Sequence, residues 1–145
     1  YQEFADVLIT LMQLATSVDN KPWVCSVWFA TDDNLNIYWL SSTTRKHSKD
    51  IQKNPNVAAA IVIPQTPKDT PRGLQLKGVA KVLTDKKDIN MAISAFKDRI
   101  FSKEEIKEFM NDEETPHKFY KIIPSQFVLF DGVNFPEKWR QELNL

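Results

Sequence analysis

The chain has 145 residues, and its 19 Lys and Arg are balanced by 19 Asp and Glu, so its formal net charge is zero. This length predicts one domain over residues 1–145, and the neutral, interspersed charge argues against a nucleic-acid binder. The single cysteine excludes an intrachain disulfide and makes the cytoplasm the default location, while no apolar run reaches the ~20 residues of a membrane helix.

The first third of the chain predicts one helix followed by three strands. Residues 3–12 place apolar side chains at helical spacing, and the runs after them are rich in strand-forming residues. Turn residues such as Asp19 and Asn20 separate these runs, so we expect an antiparallel meander. The predicted strands cover residues 14–18, 23–31 and 35–41.

Residues 37–53 join the third predicted strand to a short helix, predicted over residues 46–53, through a hydroxyl-rich and basic turn. The first N–H groups of a helix lack intrahelical partners and lie at the positive end of its dipole. Hydroxyls and an Arg guanidinium add donors that suit phosphate oxygens. The stretch therefore predicts an anion site, with a capped surface helix as the alternative. The turn consists of Ser41, Ser42, Thr43, Thr44, Arg45, Lys46 and His47.

The second half of the chain predicts three further strands. Residues 57–63 form a continuous apolar run, which predicts a strand buried on both faces. Gly78 interrupts the alternation of the next strand, over residues 73–83, as a bulge does. The last strand, over residues 119–130, contains Pro124, which favours an edge strand or a bulge.

Two helices lie between these strands, and a tail follows the last one. Asp85 is a helix cap for residues 85–97, and Ser102 with Glu105 forms a capping box for the next helix. The tail, residues 131–145, contains aromatic residues and is expected to pack against the rest of the chain. About six strands and three or four helices at close spacing favour a barrel over a parallel sheet.

Five segments are distinctive when taken in order: LATSV, KPWVCSVWFA, DDNLNIYWLSSTTRKHSKDIQKNPNVAAAIV, GLQLKGVAKVL and FYKIIPSQFVLFDG. This order resembles the pyridoxamine 5′-phosphate oxidase-like family of FMN-binding split barrels, over about Leu14 to Gly132. The resemblance implies a mostly β fold with helices, namely a six-stranded antiparallel split barrel with peripheral helices. It also implies a homodimer with FMN at the interface and flavin-dependent oxidoreductase activity on an unknown small molecule.

Two other functions fit the same pattern. One is a non-catalytic carrier or sensor dimer that binds flavin or haem, and the other is a dimeric barrel without a cofactor. The true oxidase has an Arg- and His-bearing C-terminal segment, whereas this tail has only Arg140, so pyridoxamine phosphate is not the expected substrate. Two histidines and one cysteine predict no metal site, and the catalytic residues stay unassigned.

The resemblance also implies which residues contact FMN. Hydroxyls and cations of the turn bind the phosphate, although Arg45 stands where the family has Ser and His47 where it has its final Lys. Strand residues line the isoalloxazine ring, and Phe130 packs near the cofactor from the partner chain or is an ordinary core residue. The implied contacts are Cys25, Ser26, Val27, Trp28, Ser41, Ser42, Arg45, Lys46, His47, Gly73, Gln75 and Phe130.

Overall fold

A computed structural model of the protein describes residues 11–97 and 99–145. These residues form eight strands and three helices. In chain order they are β1 Leu11–Val18, β2 Lys21–Trp28, β3 Ala30–Thr31, β4 Ile37–Ser42, α1 Lys46–Lys53, β5 Asn56–Val62, β6 Arg72–Val82, α2 Lys86–Phe96, α3 Lys103–Met110, β7 His117–Asp131 and β8 Arg140–Asn144.

All eight strands belong to one antiparallel sheet, which curls into a half-barrel with the order β2-β1-β5-β6-β7-β4-β3. Strand β7 has the most partners: it pairs through residues 120–131 with β6, through residues 117–122 with β4, and through residues 126–130 with β8. The predicted split-barrel class with peripheral helices is confirmed. The sheet has eight strands rather than six because residues 30–31 separate from β2 and the C-terminal tail adds β8.

The N-terminal part of the chain differs from its prediction. The predicted helix over residues 3–12 lies mostly outside the described residues, but its last two positions, Leu11 and Met12, begin β1. The predicted antiparallel pairing of consecutive strands forms, but the strand predicted over residues 23–31 is broken into β2, which pairs with β1, and β3, which pairs with β4. Strands β2 and β4 therefore lie near opposite ends of the sheet. The hairpin between β1 and β2 does form, and Asp19 and Asn20 close it with φ values of 52° and 60°. Such left-handed turns match the twist of paired strands.

Strand β5 is buried on one face only, which corrects the prediction for residues 57–63. Val57, Ala59 and Ile61 point into the core, whereas Val62 is 55% exposed. The reason is that core side chains cover β5 only on the concave side of the half-barrel, so its alternate residues lie on an open convex side. We call this side the outer face, and it bears Gln13, Ser26, Ala60, Gln75 and Val128.

Two apolar clusters hold the fold together. Inside the half-barrel, Trp39 stacks on Tyr120 with ring centroids 5.3 Å apart, among buried side chains from β1, β5 and β6. Residues of β4 and β7 that point the other way, such as Tyr38 and Phe119, pack against α2 and α3. Phe96 of α2 meets Phe119 edge-on at 5.4 Å. The two helices therefore close one side of the sheet, and the outer face stays open.

The predicted bulge at Gly78 is confirmed by a register shift between Lys77 and Gly78. A Cβ atom on Gly78 would lie 2.4 Å from the carbonyl oxygen of Ile123 and 2.8 Å from Cα of Pro124. Only glycine allows this close backbone approach. Pro124 therefore belongs to a bulge within an interior strand and not to an edge.

The helix boundaries agree closely with the sequence. Helix α1 has the predicted bounds, and Asp85 accepts a hydrogen bond from the Lys87 N–H at the start of α2. Ser102 and Glu105 form the complete capping box of α3. No helix in the described part of the chain is long and apolar enough to cross a membrane.

Candidate functional site

The predicted anion site is a compact turn between β4 and α1, which we call the anion turn (residues 41–48). Ser48 donates its hydroxyl to the carbonyl oxygen of Ser42 at 2.8 Å, and the Arg45 N–H donates to the same oxygen at 3.3 Å. These bonds fold the start of α1 back onto the end of β4. Arg45 is the N-cap residue, and its side chain makes no capping hydrogen bond. The first N–H groups of α1 are therefore available to an anion.

The two serines of the anion turn are buried and bonded within it. Ser41 and Ser42 are 7% and 3% exposed. The Ser41 hydroxyl lies 2.9 Å from Nε2 of His47, and the Ser42 hydroxyl lies 2.8 Å from that of Thr44. A hydroxyl has one donor and two acceptor positions, so each can form another bond. In this structure, however, both serines hold the turn together.

The Lys46 ammonium forms a salt bridge with the buried carboxylate of Asp50. Its ammonium donates to both carboxylate oxygens of Asp50 at 3.1 Å and lies 5.4 Å from the centre of the Trp23 ring. Asp50 also accepts from the Thr16 hydroxyl at 2.9 Å. Burial raises the pKa of Asp50, but the hydrogen bonds from Lys46 and Thr16 outweigh it, so this pKa lies below its usual value. Asp50 therefore joins α1 to β1, and Lys46 joins α1 to β2.

Arg45 is an exposed cation of the anion turn, and its side chain makes no hydrogen bond or ion pair with any described residue. His47, by contrast, is buried. Burial lowers the pKa of His47, and the charge of Arg45 lowers it further, while Asp50 opposes the shift. The His47 ring is thus neutral at neutral pH and positions Ser41, which leaves Arg45 as the principal positive charge available to a ligand.

A second group of predicted contacts lies on the outer face. Two adjoining hollows, of about 460 and 340 Å³, meet at Ala60 and Gln75. The smaller hollow brings together three predicted residues, Gly73, Gln75 and Phe130. Alanines of β5 and Gly73 make a low floor, so the two hollows form a shallow trough that suits a flat ligand.

The predicted residues of β2 are divided between the two sides of the sheet. Cys25 packs against the inner core, and Val27 is part of it, whereas Ser26 and Trp28 lie on the outer face. Ser26 donates its hydroxyl to the Gln13 side chain at 2.8 Å. Burial raises the pKa of the Cys25 thiol to about 11, so it stays protonated and is a poor nucleophile. These four residues cannot all line one ring.

The sequence did not reveal three polar residues of the larger hollow, Gln13, Lys77 and Gln126. Two carboxamides and one ammonium offer donors and acceptors to a polar ligand edge. Side chains two residues apart on a strand lie on the same face, so the sequence of β6 alone could have placed Lys77 beside Gln75. Gln13 and Gln126 come from other strands, so only the sheet register brings them to this hollow.

The anion turn and the outer hollows lie on opposite sides of the sheet. Thr16 points to the inner side, where it bonds Asp50 of α1, while its neighbour Ala15 lines the larger outer hollow. One chain therefore does not bring the two groups of predicted residues together. Among the described residues, no cluster of three or more His, Cys, Asp or Glu could hold a metal ion.

Comparisons with known proteins point to one family and one fold. A sequence profile described as pyridoxamine 5′-phosphate oxidase matches residues 2–128. A search of curated proteins found no match to the chain.

Several solved structures share the fold. A haem-binding protein from Mycobacterium smegmatis has a TM-score of 0.76 at 16% identity, over 98% of this chain and 55% of that one, so this chain spans about half its length. General stress protein 26 from Bacillus anthracis has a TM-score of 0.66 at 20% identity, over 99% and 98% of the two chains. A haem storage protein from Vibrio cholerae has a TM-score of 0.69 at 20% identity, over 85% of this chain and 86% of that one.

Proposed function

Because the chain belongs to the pyridoxamine 5′-phosphate oxidase family, we propose that it is an FMN-binding flavoprotein that acts as an oxidoreductase on a small molecule. The observation that carries this proposal is the anion turn, where exposed Arg45 stands at an uncapped helix start. A phosphate is a favoured ligand of such a helix end. The single cysteine supports a cytoplasmic location.

The described residues fit FMN in two parts. Arg45 and the first N–H groups of α1 would hold the phosphate, and the outer trough would take the ring, with Gln13, Gln75 and Gln126 at its polar edge. Since these parts lie on opposite sides of one sheet, we propose that one chain supplies the anion turn and a second copy supplies the trough. Bound FMN supplies hydride or electron transfer, and the chain orients it and excludes water.

The outer face supports a homodimer. Leu11, Val24, Trp28 and Val62 lie on this face and are 37%, 60%, 42% and 55% exposed. Contiguous apolar surface of this kind marks interaction sites on soluble proteins, and closed two-fold pairs are the commonest oligomers. Light scattering with FMN present should give a dimer, and Trp28→Glu should give a monomer with weakened FMN binding. A monomeric wild-type protein would contradict both the dimer and the shared site.

The visible spectrum of the purified protein tests the flavin proposal. Oxidised flavin bands, or saturable quenching of added FMN fluorescence, would support it. Reduction by NADH or NADPH, followed by reoxidation with an electron acceptor, would then separate an enzyme from a carrier. A colourless protein that does not bind added FMN would instead support a structural dimer without a cofactor.

A haem carrier is the second candidate function, because two proteins of the same fold bind or store haem. Haem iron takes an axial ligand from His, Cys, Met or Tyr. None of these residue types lines either outer hollow in the described part of the chain. The trough therefore suits flavin better than haem, and a haem function requires another surface. Titration with haem and with FMN on the same sample distinguishes the two candidates.

A further inference from the structure

The concave side of the half-barrel holds a cavity that the flavin proposal does not use, and we call it the inner cavity. Its volume is about 300 Å³, and its apolar lining consists of Leu35, Leu74, Phe127, Leu129 and Leu143. Protein interiors contain few voids larger than a water molecule, whereas small-molecule sites measure about 300–1,000 Å³ and are mostly apolar. The inner cavity therefore has the volume and the lining of a small-molecule site.

The sheet register explains why apolar side chains meet in this cavity. Leu74 lies opposite Leu129, which in turn lies opposite Gln141. Two positions further along β7, Phe127 lies opposite Leu143. Residues directly opposite on paired strands point to the same side of a sheet. Leu74 and Phe127 belong to the buried inner core, so the whole group lies on the inner side. The sheet thus separates this cavity from the outer trough.

Leu35 forms a wall of the cavity from the loop between β3 and β4, where its backbone is strained. Its φ is 68°, a left-handed value that is uncommon for residues other than glycine. The loop is fixed by Asp32, whose carbonyl accepts from the Leu35 N–H at 3.2 Å. The Asp32 carboxylate also accepts from the N–H groups of Asn34 and Asn36. Strain of this kind persists only where the surroundings fix it, and it is common at ligand sites.

Strand β8 supplies the polar and open rim of the cavity. Gln141 donates its side-chain N–H to the Lys138 carbonyl at 3.5 Å, and its Oε1 has no hydrogen-bond partner among the described residues. Glu142 also lies at this rim, but its carboxylate is paired with Arg140 at 2.7 Å. Leu143 is 48% exposed, so a ligand can enter beside it. The rim therefore offers one neutral acceptor next to an apolar cavity.

We infer that the inner cavity binds a small apolar molecule that carries one hydrogen-bond donor, such as an alkylphenol, with its donor on Oε1 of Gln141. Apolar cavities of about 150 Å³ stay free of water and take up benzene, so a cavity of this lining favours such a guest over water. A dimer formed through the outer face leaves the inner side uncovered. The inference uses none of the residues proposed to hold FMN, so it does not rest on the flavin proposal.

The test is isothermal titration calorimetry of the full-length protein, without FMN, with 4-ethylphenol and with ethylbenzene. Wild type should saturate at one 4-ethylphenol per chain, with a negative heat-capacity change because apolar surface is buried. Gln141→Leu should weaken 4-ethylphenol binding roughly two- to tenfold, the contribution of one neutral hydrogen bond, and should not weaken ethylbenzene binding. Leu143→Trp, which fills the cavity, should abolish saturable binding of both probes.

The matched control is Val133→Trp, which changes an exposed apolar residue outside the cavity and should bind both probes like wild type. Thermal unfolding shows whether Leu143→Trp is folded, and Leu35→Trp replaces it if it is not. Wild type that saturates with neither probe overturns the proposal, as does a folded, filled variant that binds both probes normally. Equal effects of Gln141→Leu on the two probes overturn the assigned hydrogen bond. If light scattering shows that Leu143→Trp dissociates a dimer, a second copy covers the cavity and the proposal is overturned.

Discussion

Replacement of Arg45 by Ala is expected to weaken FMN binding by roughly tenfold. A charge-assisted hydrogen bond contributes on the order of 1.5–3 kcal/mol, and each 1.4 kcal/mol is about a tenfold change in affinity. Arg45 is exposed, so water and salt screen its charge and the lower end of that range applies. The loss should therefore be larger at low ionic strength. The stability of the protein should not change, because the Arg45 side chain makes no hydrogen bond or ion pair with a described residue.

Lys46→Ala is the informative comparison, because the Lys46 ammonium is already bound to Asp50. Its removal leaves a buried carboxylate without its cation, which costs about 1–3 kcal/mol of unfolding free energy. The Lys46 side chain is 50% exposed, so the lower end of that range is expected. Asp50→Asn in the Lys46→Ala background should recover part of this loss. Arg45 thus affects binding, and Lys46 affects mainly stability.

The assay is quenching of flavin fluorescence, with FMN and riboflavin titrated in parallel at low and high salt. Riboflavin lacks the phosphate, so it should bind poorly and equally to wild type and Arg45→Ala. Lys49→Ala, an exposed cation one turn further along α1, is the matched control and should change little. If Arg45→Ala binds FMN as tightly as wild type at low salt, and riboflavin binds wild type equally well, the anion turn does not bind the phosphate.

Three further predictions concern stability. The pKa of Asp50 in the folded protein lies below its ordinary value, so its ion pair contributes stability above about pH 4 that is lost as the pH falls through the folded pKa. Urea unfolding at about pH 7 and about pH 3 should show this loss, and Asp50→Asn should reduce it. The pKa of His47 is also lowered, so stability should fall as the pH drops below about 6.5, and His47→Gln should remove that part of the fall in melting temperature. A His47→Gln profile identical to wild type would contradict the buried neutral ring. Gly78→Ala should cost about 1–3 kcal/mol because its Cβ would lie too close to backbone atoms. Gly73→Ala should cost less, because its Cβ would lie 3.2 Å from a Val62 methyl group and at an ordinary 3.7 Å from the Ile61 carbonyl oxygen. Equal losses in urea unfolding would refute the bulge argument.

The features that the sequence predicted are those set by neighbouring residues. Helix α1 begins where the basic turn ends, and the capping box of Ser102 and Glu105 fixes the start of α3. Gly78 signals a bulge because no other residue allows that backbone approach. Each of these signals lies within a few positions of the structure that it specifies.

The features that were missed depend on partners far along the chain. The apolar run of β5 suggests burial on both faces, but β5 lies between β1 and β6 in a sheet whose core fills only one side of this strand, so its other face stays open. The Lys46–Asp50 pair lies four residues apart on one helix and is a local signal, but the distant Thr16, which donates to Asp50 and helps bury it, is not visible in the local sequence. The separation of the anion turn from Gln75 likewise follows from the curl of the sheet, which no local pattern encodes.

The pairing of β7 with three other strands has a consequence for how the chain is made in the cell. Strand β4 pairs with β7, so that Ile37 lies opposite Ile122, a residue synthesised much later. A nascent chain on the ribosome holds β4 without its partner until β7 has emerged. The anion turn follows the end of β4, and contacts so distant in sequence form slowly. We therefore expect any ligand of that turn to be acquired only after β7 has been synthesised, with apolar strand surface exposed to chaperones until then.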